Sequence, residues 1–314
     1  MFGSFNNDAM QANLGFVVSQ TSHIEAEIYR IKYPDVDYAS MIPVDVSANE
    51  WVKSVTYFSL DGAGQAKWIN GNAKDVPVVG MSQEKFETPV YTAGIGYSYG
   101  YEEVNQARLL GISLDAEQPR FAARAYEEMV YRVATEGDAE KGFNGLYDYP
   151  GVPGELVPDD GGSSSRLWSA KSPDLILRDI NSALTAPGNA SQNVEIADTL
   201  ILPFERWNSI ASIRVSDTSL TIGRFIQENN VYTVTTGQPL TIMGKRGLLT
   251  AGESNSARMI AYRRSPEVLK LHIPMPHRFL PVQPEGLQFV VPGVFRLGGL
   301  DIRLPKAVAY RDGF

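Results

Sequence analysis

Residues 115–146 read Asp-Ala-Glu-Gln-Pro-Arg-Phe-Ala-Ala-Arg-Ala-Tyr-Glu-Glu-Met-Val-Tyr-Arg-Val-Ala-Thr-Glu-Gly-Asp-Ala-Glu-Lys-Gly-Phe-Asn-Gly-Leu. Phe121, Ala125, Met129 and Val133 recur every fourth residue, and Ala122, Tyr126 and Val130 fill the adjoining face, which predicts an amphipathic helix over about 115–136. Asp115 and Glu117 suit the positive end of the helix dipole, Pro119 is tolerable only in the first turn, and Gly137 ends the run. Arg124–Glu128 and Glu128–Arg132 are i,i+4 pairs, worth about 0.3 kcal/mol each. At 1.5 Å per residue such a helix is about 30 Å long, the span of a small domain.

Before this helix the chain is extended. Residues 1–50 are polar and irregular, and Pro34 and Pro43 keep the short amphipathic stretch Ile24–Ile31 from forming a long helix, so an arm is expected. Residues 51–87 then form a two-stranded excursion. Val55 and Tyr57 alternate with Ser54, Thr56 and Phe58, Asp61–Gly64 supplies a turn, and Ala66–Asn70 is the expected returning strand. The excursion has few apolar residues of its own, and an isolated hairpin is marginal in water, so it must rest on something else. Thr88–Tyr101 is a further strand, and Tyr101–Leu110 a short helix.

After the long helix, residues 136–160 are acidic and rich in Gly and Pro, as in a linker, and end in a Gly-Gly-Ser-Ser-Ser run. Ser172-Pro173-Asp174 opens a helix through Ile176, Ile180 and Leu184. A buried strand at Thr199–Leu202, a helix after Pro203 and a short helix over Leu220–Glu228 follow. Strands are expected at Val231–Thr235, Leu240–Met243, Arg258–Tyr262, Val268–Ile273, Leu287–Val291 and Leu300–Tyr310.

Composition argues against most enzyme classes. The 314 residues contain no Cys and three His (His23, His272, His277), which removes disulfides, thiolate metal sites and cysteine nucleophiles and leaves little for imidazole chemistry. Gly94–Gly100 has the wrong spacing for a dinucleotide loop, Gly244–Gly247 lacks a P-loop's length and terminal hydroxyl, and Ser82–Lys85 has no companion motifs. His272 and His277 flank two prolines and cannot share a helix face. The net charge of −8 is wrong for a general nucleic-acid coat. It is uneven: residues 256–314 carry nine Lys/Arg and four Asp/Glu, a net of +5, against −13 for the remainder, which reads either as a strand-rich segment with solvated arginines or as a surface that meets acidic partners or polyanion. The first 24 residues hold no Lys or Arg and no stretch reads as a membrane span, so a protein made in the cytoplasm, with no membrane partner, is expected.

Several blocks carry a resemblance. Gln20–Glu27 and Asn49-Glu50-Trp51 are similar to the N-terminal signature of a prophage-type capsid family. Ala125–Glu128 through Gly137-Asp138 to Gly142-Phe143-Asn144-Gly145-Leu146 resembles that family's pattern of a spine helix ending in a glycine-bearing loop. Asp198–Pro203, Ala257–Tyr262 and Arg296–Leu300 resemble its later blocks. In order and coverage the chain resembles the major capsid proteins of tailed bacteriophages, with the α+β Hong Kong 97 fold.

The resemblance implies an N-terminal arm over 1–50, an E-loop over 51–87 and a P-domain over 88–171 with the spine helix at about 115–136. It further implies an A-domain over 172–256, and strands of 257–314 that return through both domains. It implies no catalysis, cofactor or metal, but self-assembly into homo-pentamers and homo-hexamers of an icosahedral head. Portal, scaffolding and decoration proteins, and weakly held double-stranded DNA, would be its partners, and the virion its location. Trp51, Tyr57, Phe58, Asp61, Lys67 and Trp68 are the candidate inter-subunit contacts. Some capsids of this fold join an E-loop lysine to a P-domain asparagine. Lys67 and Lys74 could supply the amine, but no Asn follows Asn255, so a non-covalent shell is expected. Two other readings stand beside this one: an encapsulin-type compartment of the same fold, and an α+β hydrolase using carboxylates of the Asp148–Asp160 loop.

Overall fold

Five strands form the central sheet, in the order Thr241–Lys245, Thr199–Pro203, Arg258–Tyr262, Val308–Asp312, Gly154–Leu156. The first pair and the last pair are parallel, and the two pairings between them are antiparallel. Every residue of Thr199–Pro203, Arg258–Tyr262 and Val308–Asp312 is buried, because the sheet is covered on both faces. Side chains alternate along a strand. Ile201, Ile260, Tyr262, Val308 and Tyr310 therefore join one core, and Leu200, Leu202, Met259 and Ala261 the other. The computed structural model describes residues 36–63, 78–110, 117–215 and 219–314, which fall in one unit.

The spine helix spans Glu117–Thr135 among the described residues and closes the first core with Ala122, Tyr126, Val130, Val133 and Ala134 on its buried side. This corrects the expected face. Phe121 is 54% exposed, and Ala125 and Met129 are only partly buried. Each step of four residues overshoots a helical turn by about 40°, so a strict every-fourth stripe drifts around the helix. The Phe121 stripe starts outside the core, meets its edge at Met129 and is buried at Val133, while the most buried line follows 122, 126, 130, 133 and 134. Arg124 and Glu128 pair at 2.9 Å on the outer side.

The glycine-bearing loop after the helix has a steric reason. Gly137 has φ +82°, and a Cβ there would meet the Phe143 carbonyl oxygen at 2.4 Å; at Gly145 it would meet Thr135 O at 2.3 Å. These close approaches let Gly137–Asp138 pair with Phe143–Asn144 and turn the chain back under the helix.

The second core packs the Pro173–Ala190 helix, through Ile176, Ile180, Ala183 and Leu184, against the opposite side of the sheet. Pro173 occupies its first turn as expected, and the helices at Phe204–Ser212 and Ile222–Glu228 follow.

Five elements differ from expectation. The strand that returns to Ser54–Ala63 is Gly80–Pro89; the expected one at 66–70 lies outside the described residues. Val231–Thr236 is a helix, because the Asn230 side chain caps it and Gly237 (φ +71°) ends it, and these local signals override its β-branched residues. The 136–160 segment is not a free linker: it buries Leu146 and Tyr147 and contributes Gly154–Leu156 to the central sheet. Thr88–Tyr101 and Leu300–Tyr310 each divide into two strands.

Val130→Asp places a carboxylate at a fully buried position and should cost several kcal/mol, giving insoluble protein. Met129→Asp, at the edge of the same helix, should cost about 1 kcal/mol and leave a folded chain. Thermal unfolding of the two variants checks the helix face; equal losses would contradict it.

Candidate assembly surface

The long hairpin is ten residues to a strand, in register from Ser54 opposite Pro89 to Ala63 opposite Gly80. Gly80–Glu87 are exposed throughout, so neither face of this strand meets a core. Its large apolar residues are left in the open: Val78 is 86% exposed, Met81 78%, and Phe58, Val79 and Phe86 are also exposed. A backbone ladder holds the arm together, and the side chains of Gly80–Glu87 lie open to solvent.

Among the described residues it is the root that is fastened to the subunit. Tyr57 stacks on Phe86, the residue opposite it, with ring centroids 5.0 Å apart, and Arg303 lies over the Tyr57 ring at 4.7 Å. Tyr57, Phe86, Phe143, Tyr149 and Asp301 line a cleft of about 170 Å³. Burial there and the charge of Asp301 push the Tyr57 hydroxyl up to about 12. Trp51 stands just before the root, 69% exposed, with the Arg296 guanidinium 5.9 Å from its ring. Arg296 itself is held by Glu50 O at 2.6 Å and the Thr92 hydroxyl at 3.1 Å.

The expected contact residues thus divide. Trp51 and Phe58 are exposed and free to meet another chain. Tyr57 is committed to its own subunit. The Asp61 backbone pairs with Ser82, while the Asp61 side chain, Lys67 and Trp68 lie outside the described residues. Val78, Val79, Met81 and Phe86 escaped sequence reasoning because the returning strand was sought at 66–70. No alternating pattern marks Gly80–Pro89, since a strand with no buried face has no reason to alternate.

The charge asymmetry is largely resolved within the subunit. Arg263 pairs with Glu195 at 2.7 Å, Arg311 with Glu155 at 2.9 Å, Arg278 with Glu50 at 3.1 Å and Lys270 with Asp45 at 3.5 Å. These terminal basic residues thus meet acidic residues of the chain's own earlier segments.

The acidic 148–160 loop is also neutralised locally. Asp160 meets Lys171 and Arg178, and Asp148 meets Arg258. Its carboxylates do not converge on a cleft as a hydrolase would require. Among the described residues no group of three His, Cys, Asp or Glu could hold a metal ion, and no helix is long and apolar enough to cross a membrane. An open groove of about 570 Å³ beside the spine helix is lined by Met129, Arg132, Glu136 and Arg246, without a nucleophile–base pair.

Comparison with known proteins gives a consistent result. The family described as major capsid protein matches residues 64–314. Among solved structures, the capsid of Myoviridae phage XM1 is 19% identical and superposes with a TM-score of 0.77, covering 94% of this chain and 98% of that one. The capsid of an empty GTA particle is 11% identical with a TM-score of 0.60, covering 98% and 99%. A virus-like particle from Pyrococcus furiosus is 15% identical with a TM-score of 0.52, covering 97% and 98%. At such identities the likeness is one of fold, and it is the α+β Hong Kong 97-like capsid fold. No curated protein matches the sequence. By its sequence family the chain belongs to the major capsid proteins: it is a structural subunit of a phage head shell, self-associating and part of the virion, and not an enzyme.

Proposed function

We propose that the chain assembles into pentamers and hexamers of an icosahedral head that encloses double-stranded DNA. Residues 51–87 act as the E-loop, extended by the structure's own hairpin to Pro89, and lie on the adjacent subunit. Residues 1–50 form the crossing arm, 88–171 the first part of the P-domain and 172–256 the A-domain, with 257–314 returning through both. Assembly takes place in the host cytoplasm with portal, scaffolding and decoration proteins as partners, and DNA is held by weak, nonspecific contacts. The carrying observation is the row of exposed apolar side chains, Phe58, Val78, Val79 and Met81, on an arm without a core. Such residues in a monomer invite aggregation, and covered by a second copy they become its contact. Each is worth about 1–2 kcal/mol when buried across an interface, and a shell repeats the contact at every subunit.

Replacing Phe58 and Met81 together by Ser removes apolar area without touching the Tyr57–Phe86 root. Expected are soluble, normally melting subunits that form no shells in electron micrographs or sedimentation profiles. Shells at the wild-type yield would refute the assignment.

The shell is held together non-covalently. Purified particles boiled in denaturant should run as one band of monomer mass, since no asparagine follows Asn255 to accept a lysine amine. A ladder of multimers would show a covalent link through another side chain.

A further inference from the structure

One buried histidine is unexplained by packing. Leu269–His272 is the middle strand of a second, three-stranded sheet, parallel to Val44–Asp45 and antiparallel to Leu300–Ile302. His272 is 1% exposed and stands opposite Asp45 in register. Its Nδ1 lies 3.6 Å from Asp45 Oδ2 and its Nε2 lies 3.7 Å from Asp301 Oδ2. Neither ring nitrogen has a hydrogen-bond partner.

The remaining charges around the ring are accounted for. On the Val44–Asp45 side, Asp45 Oδ1 accepts from the Ser47 amide at 3.0 Å and the Ser47 hydroxyl at 2.6 Å, which leaves Oδ2 toward His272 and Lys270, the latter at 3.5 Å. On the Leu300–Ile302 side, Asp301 Oδ2 also meets Arg303 Nε at 3.2 Å, and Asp301 adjoins the Tyr57 hydroxyl at the hairpin root. Val90 and the Gly298–Gly299 backbone complete the surroundings with apolar and main-chain atoms.

A neutral imidazole has one N–H and one lone pair, so between two carboxylates it must aim the lone pair at an anion. An imidazolium donates from both nitrogens. We propose that His272 is a proton-operated latch: charged, it bridges Asp45 and Asp301 and fastens the Val44–Asp45 strand to the sheet, and on losing its proton it releases that hold. The latch adds a side-chain link between segments that the sheet already pairs, the chain entering at Val44 and the terminal strand at Leu300, and through Asp301 it reaches the hairpin root at Tyr57.

The direction in pH follows. The hold is present where the ring is charged and absent where it is neutral. Asp45 is held ionised across the range. Burial pushes the Asp45 carboxyl up, but the Ser47 hydrogen bonds, Lys270 and His272 outweigh it and bring it down to about 2.

The test reads the amides that the latch would protect. Leu271 N–H donates to Pro43 O and Ile273 N–H to Asp45 O, both at 2.9 Å. Hydrogen exchange of the full-length protein, corrected for the chemical exchange rate, is followed at about pH 5.5 and about pH 8, on either side of the ordinary histidine titration. Protection of these amides should fall about tenfold at the higher pH, the equivalent of one pKa unit of coupling, while amides of Arg258–Tyr262 stay unchanged. His272→Gln should show low protection at both pH values. Should that variant fail to fold, Asp301→Asn, which removes one carboxylate, must shrink the wild-type pH effect. Equal wild-type protection at the two pH values overturns the latch, as does a wild-type-sized drop in His272→Gln or Asp301→Asn.

Discussion

The subunit depends on one sheet that is buried on both faces. Because Ile260 and Tyr262 face one core while Met259 and Ala261 face the other, strand Arg258–Tyr262 is the shared wall of two hydrophobic bodies. Neither body can be repacked alone, and a one-residue slip of register would exchange the two sets of side chains. An ion pair pins that register at the sheet's corner. Arg258 is buried; its Nε and Nη2 donate to the two Asp312 carboxylate oxygens at 2.8 and 2.7 Å, and its Nη1 to Tyr147 O at 2.6 Å. The guanidinium also lies 4.4 Å from the Tyr310 ring. Burying charges is costly, and this bidentate geometry with satisfied neighbours is the arrangement that offsets it. Since Asp312 lies at the far end of the chain, the last strand is tied to the Leu146–Asp148 turn that follows the spine helix.

What was legible in the sequence follows from this burial. Thr199–Leu202 and Arg258–Tyr262 read as strands because two cores demand apolar residues on both faces, and Val268–Ile273 because Val268, Leu269, Leu271 and Ile273 join the first core. The Pro173 helix read correctly from its start signal and its Ile176–Ile180–Leu184 face. The spine helix was plain in extent but rotated in face, because an every-fourth count does not track a 3.6-residue turn. Val231–Thr236 was misread where β-branched composition spoke louder than the Asn230 cap and the Gly237 stop. The Gly154–Leu156 strand was hidden in a linker-like composition, since an exposed edge strand needs few apolar residues.

The assembly surface was half legible for the same physical reason. An unsupported hairpin could be read from 51–58, and Trp51 and Phe58 are indeed exposed. Its returning strand could not, because Gly80–Pro89 answers to no core of its own chain. Tyr57 was placed among the contacts although it belongs to the root, where stacking on Phe86 and the Arg303 cation keep it at home. His272 likewise looked like an isolated histidine, since the two aspartates beside it are more than 200 and nearly 30 residues away along the chain.

The division is between a body stabilised by its own two cores and an arm that, in the function proposed above, is stabilised by a second copy. A cryo-electron-microscopy reconstruction of assembled particles tests this most directly. Phe58, Val78, Val79 and Met81 should be covered by an adjacent subunit, with the Tyr57–Phe86 stack unchanged at the root. A hairpin folded back onto its own body, or standing free in solvent within a closed shell, would contradict the account.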